Sequence, residues 1–365
     1  MSIIRDLLAN AIEAGASDVH LKSDQVPFYR IHSALTESGF DVISAEDMQQ
    51  IISDIIPPHI AQEFTQTSEA DFSLNEPDVG RFRVNVFRSE GKPTAALRHV
   101  KMDIPTFEGL NLPPQMTTFA EVPRGIILLA GTTGSGKSTS LAAIIQRINT
   151  NMRKRIITIE DPIEYHFDDD QSVITQREVG LDTVSYQESL KRLMRQDPDV
   201  IMIGEMRDAL SISTSLQAAE TGHLVLSTLH ASNAALAIPR MLDVFPSAEH
   251  DRIRMAIADN LHAVACQRLV KGVQIGLVPA VEILINSPMV RKLIVKNELN
   301  LLSAAIETGR DDGMQTFNQA LYDLITSGMI TEESGLTLAT NPESLRMNLQ
   351  GIFLDEANKI LSSVS

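Results

Sequence analysis

The sequence predicts an α/β protein in which a mostly parallel sheet is covered by helices on both faces and is preceded by a smaller α+β domain. Three observations lead there. From Arg124 onward, short apolar runs at 126–130, 156–159, 200–203 and 224–226 alternate with helical stretches, and runs without polar alternation belong to strands buried on both sides. Before them, Arg81-Phe-Arg-Val-Asn-Val-Phe87 alternates polar with apolar residues, the pattern of a half-buried strand. Between the two regions, residues 103–123 carry Pro105, Gly109, Pro113, Pro114 and Pro123, punctuation that suits a linker. The expected domains are therefore 1–102, a linker at 103–123, and 124–365 with helices at its end.

Taken in order, the chain opens on Met1-Ser-Ile-Ile-Arg-Asp-Leu-Leu, an amphipathic helix start whose early charge interrupts any signal-type apolar run. In the strand at 81–87, Arg81, Arg83 and Asn85 share one face, and Phe82, Val84 and Val86 share the other. The linker includes Leu110 and Leu112, which suit packing on a neighbour. From 286 to the end the pattern is mostly helical, with turns at Gly309, Gly313, Gly328 and Gly335. There is no internal repeat and no low-complexity tract.

Composition narrows the function. The 365 residues are 43% hydrophobic, with no Trp and only 4% aromatic residues, so the core rests on aliphatic side chains. A formal net charge of −16 argues against a general nucleic-acid binder and against adsorption to anionic lipid, both of which need clustered Lys and Arg. The single cysteine, Cys266, lies in the apolar stretch Leu261-His-Ala-Val-Ala-Cys266. It permits no intrachain disulfide and no cysteine-rich zinc site, and reads as a buried thiol. No apolar run is long enough to span a bilayer, so the chain reads as cytoplasmic, without membrane insertion.

Gly131-Thr-Thr-Gly-Ser-Gly-Lys137-Ser138 fits the phosphate-binding pattern G-x-x-x-x-G-K-[ST]. The pattern arises by chance in about one chain of this size per hundred, but here an apolar run precedes it and good helix material follows, the order the chemistry requires. Backbone N–H groups from Thr133, Gly134, Ser135 and Gly136 through Thr139 would turn toward one anion, aided by the positive end of the helix dipole. Lys137 would reach the β- and γ-phosphates of ATP, and Ser138 would ligate Mg²⁺.

Hydrolysis needs a group that orients or deprotonates water. Glu160, Asp161 and Glu164 follow the apolar run 156–159, at the strand end where ligands bind in open α/β sheets. Glu164 is the expected general base, with Glu160 and Asp161 holding metal and water. After the run 200–203 comes Gly204-Glu205-Met-Arg207-Asp208; a strand ending in an acid is Walker-B logic, with Glu205 acting on Mg²⁺ through water or polarising the nucleophile. Thr228 and His230 follow the run 224–226 on the same edge, where a His can donate to the γ-phosphate and report its loss; His223 stands at the opposite end. For transition-state charge, candidate arginines supplied across a subunit interface are Arg81, Arg83, Arg88, Arg192 and Arg195, the last two just before Asp197-Pro-Asp199.

These stretches, with Gly15-Ala-Ser-Asp-Val-His-Leu21, Gln176-Arg-Glu178, Ala219-Glu-Thr-Gly-His-Leu224, Asp243-Val-Phe-Pro246 and Gly313-Met-Gln-Thr316, resemble the type IV pilus retraction ATPases of the secretion ATPase superfamily along nearly the whole chain. The resemblance implies a PAS-like first domain joined to a RecA-like ATPase domain. It implies a homo-hexamer docked through a pilus platform protein at the cytoplasmic face of the inner membrane, with a paralogous retraction ATPase as a further candidate partner. It places Glu164 in the family's Asp box, Glu205 in an atypical Walker B, and His223 and His230 in its His box, with the first-domain arginines at nucleotide sites. Extension ATPases of the superfamily typically add an N-terminal region and a four-cysteine metal site, both missing here, which points to the retraction branch. Two departures stand out: Met289-Val-Arg-Lys-Leu-Ile294 where retraction ATPases usually read Ala-Ile-Arg-Asn-Leu-Ile, and Thr132 where the family often has Pro.

The expectation is an ATPase that drives pilus retraction and twitching motility. Its rivals are a nucleic-acid translocase of the RecA-like class, against which the charge speaks, and a nucleotide-gated scaffold without turnover, against which Glu164 and Glu205 speak.

Overall fold

Burial along the strands separates two sheets of opposite character. The computed structural model describes residues 3–31, 34–100, 104–274 and 276–353, leaving aside the side chain of His59. The boundary expected between 102 and 103, the opening Met1 and Ser2, and the tail 354–365 lie outside the described residues. The chain forms two compact units. One comprises residues 1–103, 162–166 and 180–182, and the other comprises 104–161, 167–179 and 183–365.

In the first unit, β1 (Asp18–Lys22), β2 (Phe28–Ile31), β3 (Ala34–Glu37), β4 (Glu69–Glu76), β5 (Gly80–Ser89) and β6 (Lys92–Val100) form an antiparallel sheet ordered β3-β2-β1-β6-β5-β4. Burial on β5 alternates as its sequence requires: Phe82, Val84 and Val86 are fully buried, while Arg83 and Arg88 are exposed. The helices Ile3–Glu13 and Ala45–Ile55 supply the rest of this core through Leu7, Leu8, Met48, Ile51 and Ile52. Their buried positions recur at helical spacing, giving each an apolar stripe. Ser44 caps the second helix by accepting from the Asp47 N–H, which satisfies one of the donors that a helix start leaves unpaired.

The second unit holds β7 (Gly125–Ala130), β8 (Arg155–Glu160), β9 (Val173–Glu178), β10 (Val200–Ile203), β11 (Leu224–Leu229), β12 (Leu261–Lys271) and β13 (Leu277–Ile285), ordered β13-β12-β7-β11-β10-β8-β9. All neighbours run parallel except β12 and β13. The four apolar runs read from the sequence are the four consecutive strands β7, β11, β10 and β8, buried along almost their full length. This is the expected α/β architecture.

The sequence reading left β9, β12 and β13 unassigned. β9 is an edge strand whose residues are mostly half-exposed, so it never needed an apolar run. The segment read as a linker contributes the helix Phe107–Leu110 and the 3-10 helix Pro114–Glu121, and buries Phe107, Met116 and Phe119. Within its own unit, Phe107 lies under the Arg147 guanidinium at 5.8 Å. Cys266 is buried as expected, and desolvation pushes its thiol up to about 12, so it stays a neutral, unreactive group. Among the described residues no helix is long and apolar enough to cross a membrane.

Candidate active site at the carboxyl edge of the parallel sheet

Because β7, β8, β10 and β11 are parallel and in register, their carboxyl ends fall on one edge. Ala130 pairs with Leu229, and Ile203 lies level with both Ile159 and Ser227. Four chain segments separated widely in sequence therefore leave the sheet side by side. They carry the glycine loop, Glu160 and Asp161, Gly204 and Glu205, and His230.

The loop leaves β7 at Gly131 (φ 145°) and enters the helix Lys137–Asn151 through Gly136 (φ 87°). Both dihedrals are ones that side chains disfavour. The helix start has no side-chain cap, and the N–H groups of a helix start are the ones that hold anions. Thr133 and Gly134 are exposed, Ser135 is buried, and Lys137, Ser138 and Thr139 are half-buried in the first helical turn. Among the described residues the Ser135 hydroxyl has no hydrogen-bond partner, a costly state for a buried donor. The Lys137 ammonium donates to the carbonyls of Gly131 and Thr132, each at 2.9 Å. Phosphate oxygens make stronger, charge-assisted partners than those carbonyls, so the loop fits an anion on three counts: a backbone turned by glycines, a buried hydroxyl without a partner among the described residues, and a cation. Among the described residues no group of three His, Cys, Asp or Glu could hold a metal by itself. The half-buried Ser138 hydroxyl in the first helical turn offers the oxygen chemistry that Mg²⁺ takes together with phosphate and water.

The acids differ sharply in surroundings. Glu160 is buried, and its Oε1 accepts from the Thr158 hydroxyl at 2.6 Å and from the Gln176 amide at 3.1 Å. Asp161 is exposed and close enough to Arg207 to act on its charge. Glu205 is half-buried and bridges: Oε2 accepts from Arg207 Nε at 2.7 Å, and Oε1 lies 3.3 Å from His230 Nε2. The carboxylate of Glu205 beside it raises the Arg207 pKa further, so that guanidinium is a permanent charge. Thr228 donates to the Gly204 carbonyl at 2.7 Å, locking the ends of β10 and β11 together.

Other predicted residues belong to other segments of the chain. Glu164 is exposed on the connection after Asp161 and groups with the first unit, as do Arg81, Arg83 and Arg88 on β5. Arg88 stacks on Phe64 at 5.5 Å and donates to the Gly91 carbonyl. Arg195 is exposed in the 3-10 helix Met194–Gln196 that leads into β10, at the amino edge of the sheet, so within one chain it does not join the loop. His223 is likewise at that edge, its Nδ1 2.8 Å from the Ala218 carbonyl.

Sequence reasoning missed three contributors. Arg207 was quoted without a role. Gln176 reaches Glu160 from the unassigned β9. Tyr186 donates to the Ile159 carbonyl at 2.8 Å and accepts from the Glu205 N–H at 3.3 Å. It thereby ties together the two acid-bearing strand ends, and burial pushes its phenol pKa up so that it stays neutral. A methyl group on Gly204 would meet the Tyr186 hydroxyl at 2.8 Å, which explains the glycine before Glu205. The cue available in the sequence was a lone Tyr in a polar helix, too weak to read.

A glycine loop between β7 and a helix, on the same sheet edge as acids that follow the parallel strands β8 and β10, defines a P-loop nucleoside triphosphatase. A family model described as Type II/IV secretion system protein matches residues 1–298, and the chain belongs to that family. It is 38% identical to the type IV pilus retraction ATPase PilT of Pseudomonas aeruginosa, over 93% of this chain and 99% of that one. It is also 38% identical to the type IV pilus ATPase PilU of the same organism, over 94% and 90%. A crystal structure of the pilus retraction motor PilT with bound ADP superposes with a TM-score of 0.88 at 38% identity, covering 94% of this chain and 98% of that one.

Proposed function

We propose that this chain is an ATPase motor that powers retraction of a type IV pilus. The observation that carries the reading is the Glu205 bridge, in which one carboxylate reaches Arg207 from one oxygen and His230 from the other, beside a loop built for phosphate. The similarity along nearly the full length to proteins named for pilus retraction supplies the biological context.

In this reading Lys137 turns from the loop carbonyls to the β- and γ-phosphates of ATP, and the loop N–H groups hold the phosphate chain. Bound Mg²⁺ would neutralise phosphate charge, with Ser138 as its direct protein ligand and Glu205, Glu160 and Asp161 around its waters. Glu205 polarises the attacking water, Glu164 takes its proton, and His230 reports the loss of the γ-phosphate to the segment that follows it. Hydrolysis does work because ATP and ADP bind two arrangements of the protein with different affinity. The motor would be a homo-hexamer of PAS-like and RecA-like domains, working in the cytoplasm against the platform protein of the pilus at the inner membrane. An arginine from a neighbouring subunit (Arg81, Arg83, Arg88 or Arg195) would complete each site.

Lys137→Ala should lower phosphate release by at least about 100-fold while the melting temperature stays within a few degrees of the parent. Undiminished turnover would remove the loop from the chemistry. In cells, deletion should leave hyperpiliated bacteria that do not twitch; bald cells would indicate pilus assembly instead, and ATPase stimulated by DNA or RNA would indicate a translocase.

A further inference from the structure

Gln267 has no part in the site as described, yet it is the residue on which the phosphate loop rests. It sits on β12, one residue past the Cys266–Ala130 pairing that places this strand beside β7. The residue is 3% exposed, and a polar side chain so deeply buried is rarely neutral to its surroundings.

Three contacts define its role. A methyl group on Gly131, the first glycine of the loop, would meet the Gln267 carbonyl oxygen at 2.7 Å. A methyl group on Gly136, the last, would meet the Gln267 Nε2 at 2.8 Å. From the first turn of the following helix, the Ser140 hydroxyl donates to Gln267 Oε1 at 2.8 Å. Ser140 is itself 1% exposed. One glutamine thus abuts the entrance of the loop with its backbone and the exit with its amide, and is held to the helix through a buried hydrogen bond. The close approach gives both outer glycines a second reason to be glycine, beyond their positive φ.

We propose that Gln267 is a positioning residue for the nucleotide, setting the curvature of the loop and hence the aim of its N–H groups through the contact with Gly136 and the bond to Ser140. The proposal rests on the reading of this loop as a nucleotide site. A donor nest a few tenths of an ångström out of place loses affinity for every phosphate oxygen at once, because each N–H depends on the same backbone path. A residue that acts through the loop backbone should, when lost, weaken nucleotide binding more than it slows the chemistry of the bound complex.

The test uses the full chain, a fluorescent ADP analogue and steady-state ATP turnover. Gln267→Leu keeps the volume and removes the amide; Ser140→Ala removes the partner hydroxyl and leaves the glutamine. Expected are a Kd for the analogue raised about tenfold in Gln267→Leu and about fivefold in Ser140→Ala, the scale of one buried hydrogen bond. The double variant should be no weaker than Gln267→Leu, because both groups act through one contact. KM for ATP should rise with Kd while kcat falls less than about twofold. A packing role alone would lower the melting temperature and leave Kd where it was, and that result overturns the proposal. Should Gln267→Leu fail to fold, Ser140→Ala decides alone, with unchanged affinity counting against the role. If the parent chain binds no ADP while melting cooperatively, the nucleotide reading itself fails first.

Discussion

Both edges of the second unit's sheet are rich in charge, and they dispose of it in different ways. At the amino edge the polar groups are consumed mainly by backbone, with a looser ion pair between Lys154 and Asp199 at 3.7 Å. Asp199 accepts from the Arg155 N–H at 2.8 Å, Arg155 Nε donates to the Gln196 carbonyl at 2.8 Å, and His223 turns back to Ala218. Each contact closes a turn or fixes a strand entrance. At the carboxyl edge two side-chain pairs join separate segments, Glu205 with His230 and Gln176 with Glu160, while Tyr186 bonds the backbone of both Ile159 and Glu205. Bonds that close a turn or a strand entrance hold their groups in place, whereas side chains that satisfy each other, and the Lys137 ammonium on its loop carbonyls, can exchange partners when an anion arrives. Charge density does not mark a site. The direction of the strands does, since in a parallel sheet the helix N-termini and their dipoles follow the carboxyl ends.

The contrast can be broken by experiment. Glu205→Gln keeps the shape but loses the carboxylate, and kcat should fall by about 100-fold with ADP affinity changed less than threefold; comparable activity would leave the bridge without a catalytic role. His230→Ala should cost about tenfold in kcat, because a single reporting hydrogen bond is lost while the loop and Glu205 remain. The smallest effect on turnover belongs to the amino edge. Asp199→Ala should destabilise folding by about 1 kcal/mol in urea titration, from the lost bond to the Arg155 N–H, and leave turnover within about twofold. A large loss of turnover there would mean that the amino edge of one subunit serves the site of another, a result that would also bring Arg195 into the mechanism.

Some of this was legible in the residues. The runs at 126–130, 156–159, 200–203 and 224–226 are apolar, Thr158 apart, because both faces are covered, and they identified four of the seven strands of the second unit's sheet. The alternation at 81–87 identified β5 for the opposite reason. The edge strand β9 was hidden because half-exposed residues leave no periodic signal. The strands β12 and β13 were hidden because an apolar stretch such as Leu261 to Cys266 fits a buried helix as well as a strand. The loop, Glu160, Glu205 and His230 were placed at the carboxyl ends of strands from their position after apolar runs. Tyr186, Gln176 and Gln267 were not, because nothing local distinguishes a polar side chain that will be buried against a distant strand.

The sequence by itself determined what is local: which residues are glycine where φ is positive, which runs must be buried on both faces, and which acids follow a strand end. Those are properties of a few neighbouring residues and the water they avoid. Only the tertiary structure decided that β7 lies between β12 and β11, which brings Ser140 to Gln267 across 127 positions of chain, and that the ends of β8 and β10 share one tyrosine hydroxyl. Strand order is set by the packing of the whole core, a sum over many weak contacts that no single segment encodes.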